Sequence, residues 1–279
     1  MKNAMQLKAL VKNIAKEKSI PAQIVMQNYM LERLLERISL SKYQSRFILK
    51  GGFLIAAIVG LDTRATMDMD ATLKGLPVGV NTIKDIFEEI CEVAVDDDIS
   101  FRIKGVTDIR ETDEYAGIRV SLEAQYPPLA VPLKVDVTSG DKITPREIEY
   151  TFNLLFEPRT IKVLAYNMET VLAEKIETVI SRGIFNTRPR DYYDIYILKN
   201  LQWQNVDTIT LSEALKATAT KRGSMASFEN SRQTVLDIRN DLQMIERWEK
   251  YRKEFEYAKD IPFNDVCDAI AYVLSEAGI

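Results

Sequence analysis

The chain has 279 residues, 46% hydrophobic and 28% charged, with a formal charge of −4. This is the composition of a globular protein with ample core and lacks the basic excess of a general nucleic-acid binder. It contains no histidine and only two cysteines, Cys91 and Cys267. That excludes serine–histidine triads, histidine or cysteine zinc sites and a disulfide scaffold, leaving carboxylates, lysine or a bound metal for any chemistry.

The first twenty residues are too polar for a secretory segment and no apolar run reaches membrane-spanning length, so the expectation is a cytoplasmic protein without a membrane partner. Residues 5–16 and 22–39 read as amphipathic helices broken near Pro21, with Ile24, Tyr29, Leu31, Leu34, Leu35 and Ile38 at helical spacing. Gly51-Gly52 opens a short apolar helix, 53–59. From Arg64 to Leu73 the alternation changes to period two, which predicts a strand with Met67 and Met69 pointing into the core. Residues 81–94 return to a helix, and Asp96–Asp98 mark a turn.

Three strand-like runs follow, 101–107, 118–124 and 129–137, separated by acidic or Pro-containing stretches. Beyond about residue 165 the pattern is almost wholly helical. Thr210 and Glu213 stand in capping-box register with Gly223 as a stop. Leu242, Ile245, Trp248 and Phe255 stripe a charged helix, and 264–276 form a last one. The expected fold class is α+β: a mixed β-sheet with flanking helices over 1–160, then a largely helical C-terminal domain over 161–279.

The segment "GGFLIAAIVGLDTRATMDMD" carries the chemistry. Asp68 and Asp70, one residue apart on a strand, leave by the same face. Carboxylates side by side repel unless protons or cations sit between them, and magnesium takes oxygen ligands that it shares with phosphates. In "PLKVDVTSG", Leu133, Val135 and Val137 share one face, leaving Asp136 on the other as a third carboxylate and a candidate base. Gly51 and Gly52 let phosphate approach the backbone N–H groups at a helix start. Arg64 stands where it can touch a phosphate. Lys175 and Arg182, two helical turns apart, can project from one side of their helix, while Asp191 and Asp194 lie at the start of another. Each feature alone also suits a solvated face, a turn or a cap; their order along one chain gives them weight.

Those residues carry a resemblance. A glycine pair, a helix, D-x-D on a strand and a later strand aspartate resemble the DNA polymerase β-like nucleotidyltransferases. More closely, the chain resembles the AbiEii family of abortive-infection and type IV toxin–antitoxin nucleotidyltransferase toxins, to which the MenT toxins are related. The matching segments are "YMLERLLERIS", Lys50-Gly51-Gly52, "RATMDMD", "LAEKIETVISRG" and "RPRDYYDIYIL".

The resemblance implies a nucleotidyltransferase core and a C-terminal domain that supplies the lysine and aspartate motifs. It implies Mg2+ or Mn2+ on Asp68, Asp70 and Asp136, with Lys175 and Asp191 also in the active site. NTP would be held by Gly51, Gly52, Phe53, Arg64, Lys175 and Arg182. Phe53 departs from the serine common at that position, so a hydroxyl contact is lost while the backbone N–H remains. The implied reaction moves NMP from NTP to the 3′ end of tRNA, blocking translation, with a cognate antitoxin of winged-helix type as partner. Arg188, Arg190, Lys221 and Arg222 are candidates for salt-sensitive contact with tRNA. The net negative charge leaves open a small molecule or a protein hydroxyl as acceptor, and Phe53 leaves open a non-catalytic nucleotide- or partner-binding module.

Overall fold

The computed structural model describes residues 3–109 and 117–279; most of the acidic stretch between the first two predicted strand-like runs, 110–116, lies outside the described residues. The chain forms two compact units, Met1–Gly140 with Ile148–Ala165, and Asp141–Glu147 with Tyr166–Ile279. Among the described residues no helix is long and apolar enough to cross a membrane.

The first unit contains, in chain order, α1 (Ala4–Glu17), α2 (Ala22–Leu40), β1 (Phe47–Lys50), α3 (Gly51–Val59), β2 (Asp68–Leu73), α4 (Val80–Cys91), β3 (Ser100–Ile109), β4 (Gly117–Tyr126), β5 (Leu129–Thr138), β6 (Ile148–Asn153) and β7 (Thr160–Ala165). The strands form one mixed sheet in the order β3-β4-β5-β2-β1-β7-β6. β3, β4 and β5 are an antiparallel meander, whereas β2 joins β5, and β7 joins β1, in parallel. Three strands, β1, β6 and β7, were not legible as such in the sequence. The predicted strand from residue 64 begins only at Asp68, and Met67 is 44% exposed rather than in the core; Met69 is fully buried.

Alternation builds the core. Ile118, Val120, Leu122 and Ala124 of β4, and Val131, Leu133, Val135 and Val137 of β5, are all buried. Leu49, Met69 and Ala71 line a small apolar cavity with Leu35 and Ile38 of α2. Phe47 of β1 meets Phe87 of α4 edge to face at 5.8 Å.

α2 is buried on nearly every side, so its charged residues need internal partners. Arg33 lies 2.6 Å from Glu32, 2.9 Å from Glu36 and 2.9 Å from Glu157. The other Glu32 oxygen accepts the Leu155 N–H at 2.6 Å, and Arg159 pairs with Glu36, so the β6–β7 turn is tied to this helix. One turn on, Arg37 donates to both oxygens of Asp97 at 2.8 Å and to the Ile99 carbonyl at 2.6 Å, fixing the segment between α4 and β3. The predicted acidic turn is therefore partly interior.

The second unit packs α5 (Met168–Arg182), α6 (Pro189–Gln202), α7 (Thr208–Lys221), α8 (Met225–Phe228), α9 (Ser231–Asn240), α10 (Leu242–Glu254) and α11 (Phe263–Glu276). Asp207, not Thr210, caps α7, accepting the Thr210 N–H at 2.9 Å; Gly223 follows its end at φ +66°. The buried stripe of α10 is Met244, Trp248 and Tyr251, while Leu242 is 75% exposed. Phe255 lies just beyond that helix, stacked on Tyr257. Burial pushes the Cys91 and Cys267 thiols up to about 11 and about 12, so neither is poised as a nucleophile.

Two outcomes follow from the α2 network. Arg33→Ala removes the cation shared by Glu32, Glu36 and Glu157, leaving Glu32, among the described residues, with only the Leu155 N–H, and is expected to lower stability by about 3–5 kcal/mol, measured by urea unfolding followed by circular dichroism. Burial raises the Glu32 carboxyl from its ordinary 4.5 to about 7, against the opposing pull of Arg33. Its contribution to stability is therefore complete below about pH 4.5 and is lost as pH rises through about 7. Glu32→Gln removes that component, so the stability of the variant relative to the parent should rise across this interval; a constant difference would contradict the assignment.

Candidate active site

The parallel pairing of β2 with β5 sets Asp70 beside Asp136 and Asp68 beside Lys134. Farther along, the Thr72 and Thr138 hydroxyls lie 3.4 Å apart, which shows that these alternate positions share one face. The three aspartates are half-buried on that face, opposite the fully buried Met69, Val135 and Val137. The sheet thus sets the three carboxylates singled out in the sequence on one face, with Asp70 and Asp136 as direct neighbours.

Both glycines have a steric reason. β1 runs antiparallel to β2 with Lys50 opposite Asp70, so Gly51 falls against the Asp70 side chain. A Cβ on Gly51 would stand 2.3 Å from an Asp70 oxygen, and its φ of +64° is one that L side chains rarely adopt. A Cβ on Gly52 would stand 2.9 Å from the Arg64 guanidinium and 3.2 Å from the Thr66 hydroxyl. These residues begin α3, where Lys50 gives no side-chain cap. The free N–H groups of a helix start are suited to an anion.

Arg64 is only 2% exposed, and it donates to the Ala65 carbonyl at 2.5 Å; it lines the interior beside Gly52. The Phe53 side chain is buried and stacks on Phe152 at 5.7 Å. Two residues escaped the sequence reading. Asn28 of α2 donates to the Thr66 carbonyl at 2.6 Å, anchoring the approach to β2. Arg119 of β4 donates to both oxygens of Asp136, at 2.8 and 2.6 Å. An amide in a helix and an arginine in an alternating strand carry no sequence signal of these contacts.

Oxygen-only donors on one face suit a hard divalent cation in kind. Among the described residues, however, no group of three or more His, Cys, Asp or Glu is gathered as a metal site. Both Asp136 oxygens are engaged by Arg119.

In the second unit, Lys175 of α5 reaches Asp191 at 2.5 Å and Asp194 at 2.9 Å on α6. Its side chain is 14% exposed. Arg188 lies 3.1 Å from the other Asp191 oxygen. Asp194, which the resemblance leaves outside the active site, shares the same ammonium at a slightly longer distance. Arg182 is exposed at the end of α5. Arg222 pairs with Glu174 and Glu177, whereas Lys221 is exposed and Arg190 stacks over Phe255 at 5.5 Å. Of the four cations considered for a polyanion, Arg222 is thus paired with two carboxylates and Arg188 with one, the latter from a side chain that is 49% exposed.

The comparisons with known proteins bear on this arrangement. No curated protein matches the chain significantly in sequence. Among solved structures it is similar to one described as a "putative nucleotidyltransferase from H. pylori", at 12% identity and a TM-score of 0.51, covering 93% of this chain and 98% of that one. It also aligns with JHP933 from Helicobacter pylori at 12% identity and a TM-score of 0.47, over 92% and 94% of the two chains. At 12% identity the first of these likenesses is one of fold alone. The sequence itself matches, over residues 33–271, the family described as "Nucleotidyl transferase AbiEii toxin, Type IV TA system". The chain therefore belongs to the AbiEii family of nucleotidyltransferase toxins.

Proposed function

We propose that this nucleotidyltransferase transfers NMP from NTP to the 3′ end of tRNA in the cytoplasm, releasing pyrophosphate and blocking translation. The observation that supports this best is the shared face of Asp68, Asp70 and Asp136 beside the uncapped start of α3. In this reading the three carboxylates hold Mg2+ or Mn2+, and Asp136 also takes the proton from the acceptor hydroxyl. When bound, the cation would polarise the α-phosphate and offset charge on the departing pyrophosphate.

The N–H groups of Gly51, Gly52 and Phe53 receive phosphate oxygens, as helix starts do. Arg64 stands behind Gly52 and adds positive charge to that grip. Lys175 and Arg182 act on phosphates, and Asp191, with Asp194, orients the lysine; family resemblance and the short ion pairs of Lys175 support these roles. Exposed cations such as Arg188, Arg190 and Lys221 give salt-sensitive contact with the RNA. A cognate antitoxin, as type IV systems have, would be of the winged-helix kind.

The test is incubation with each labelled NTP, Mg2+, total RNA and cell lysate. Label in a tRNA band is expected; label in a small molecule or a protein would overturn the acceptor and keep the chemistry. Asp68→Asn should lower transfer by two or more orders of magnitude and abolish growth inhibition, with folding unchanged by circular dichroism. A variant as active and as toxic as the parent would refute the carboxylate role. Gly51→Ala should lose activity as well, because the new methyl displaces Asp70. It should also unfold more readily by about 1–2 kcal/mol from left-handed strain alone, read by urea unfolding.

A further inference from the structure

Asp136 is held by a residue that no motif marks. Arg119 faces it directly in the β4–β5 pairing, and its guanidinium bonds both carboxylate oxygens. The bond to Asp136, reinforced by the nearby charges of Asp68 and Asp70, keeps Arg119 firmly protonated. Its side chain is nonetheless 39% exposed, so water borders the pair.

We propose that Arg119 serves as a built-in counter-ion of the carboxylate cluster, so that its ion pair with Asp136 and the binding of a divalent cation compete. The inference rests on reading Asp68, Asp70 and Asp136 as cation ligands. Three carboxylates on adjacent strands of one face require positive charge nearby. A guanidinium cannot relieve a clash with an incoming cation by losing its proton. It has to yield at least one Asp136 oxygen, and a long, half-exposed side chain can turn toward water at small cost. The cation therefore works against the Arg119 pair, and Asp136 changes hands between the two.

The sign of one measurement separates this from a purely supporting role. Removing a residue that merely orients a ligand weakens metal affinity by about 10–100-fold. Removing a competitor strengthens it. Mn2+ is titrated by calorimetry into the full chain as parent, R119Q, R119K and D68N. R119Q is expected to bind Mn2+ roughly three- to tenfold more tightly than the parent. R119K keeps the charge without the two-pronged bond and should fall between them. Mn2+ should also raise the Tm of R119Q by more than it raises that of the parent.

Equal or weaker binding by R119Q overturns the proposal. If R119Q fails to fold, R119K decides, with tighter binding in support and equal or weaker binding against. D68N is expected to lose Mn2+ binding. If D68N binds like the parent, the reading of the aspartates as cation ligands falls and the competition falls with it. If D68N loses binding while Arg119 variants show no gain, only the competition falls.

Discussion

The arrangement depends on the parallel pairing of β2 with β5. Val135 and Val137, with Met69 beside them, are completely removed from water, and that apolar face fixes the register. A slip of one residue would turn these side chains outward and the aspartates inward. The core thereby forces Asp70 next to Asp136 with Asp68 close by, a grouping that electrostatics alone would never choose. Hydrophobic burial supplies the crowding, and Arg119, one strand over, pairs with Asp136.

The second unit handles buried carboxylates differently. Asp191 and Asp194 lie on one helix and share a single ammonium from another, with Arg188 at the outer edge. A compact ammonium can serve two carboxylates from different directions, whereas the planar guanidinium of Arg119 matches both oxygens of one. The two arrangements hold different residues in place with the same physical means. Membership of a nucleotidyltransferase family gives both a chemical context.

What could be read from the sequence followed from periodicity. Asp68 and Asp70 flank Met69 in an alternation that the fold keeps, and the β4 and β5 runs lie within a residue or two of their predicted limits at most ends. β1 was hidden because four mostly buried residues, "FILK", show no alternation and merge with the helix that follows. α10 was read in the wrong phase: Leu242 and Ile245 suggested a stripe that Met244 and Tyr251 occupy instead. The burial of Arg64 is not legible in the sequence, because its concealment depends on the space left by Gly52, a tertiary fact. Arg119 was invisible for a similar reason, since its partner is set by strand register rather than by local pattern.

α2 carries more of this architecture than its amphipathic pattern suggested. Asn28 holds the approach to β2, Arg33 and its glutamates hold the β6–β7 turn, and Arg37 holds the segment before β3. These anchors point in different directions from one helix, each fixed by its angular position. A single residue inserted between Asn28 and Arg37 would rotate everything beyond it by about 100° and unhook one set of anchors from the other. The fold therefore depends on the spacing within "NYMLERLLER" as much as on the identity of its anchors, and a change in the length of α2 would be harder to absorb than a substitution between them.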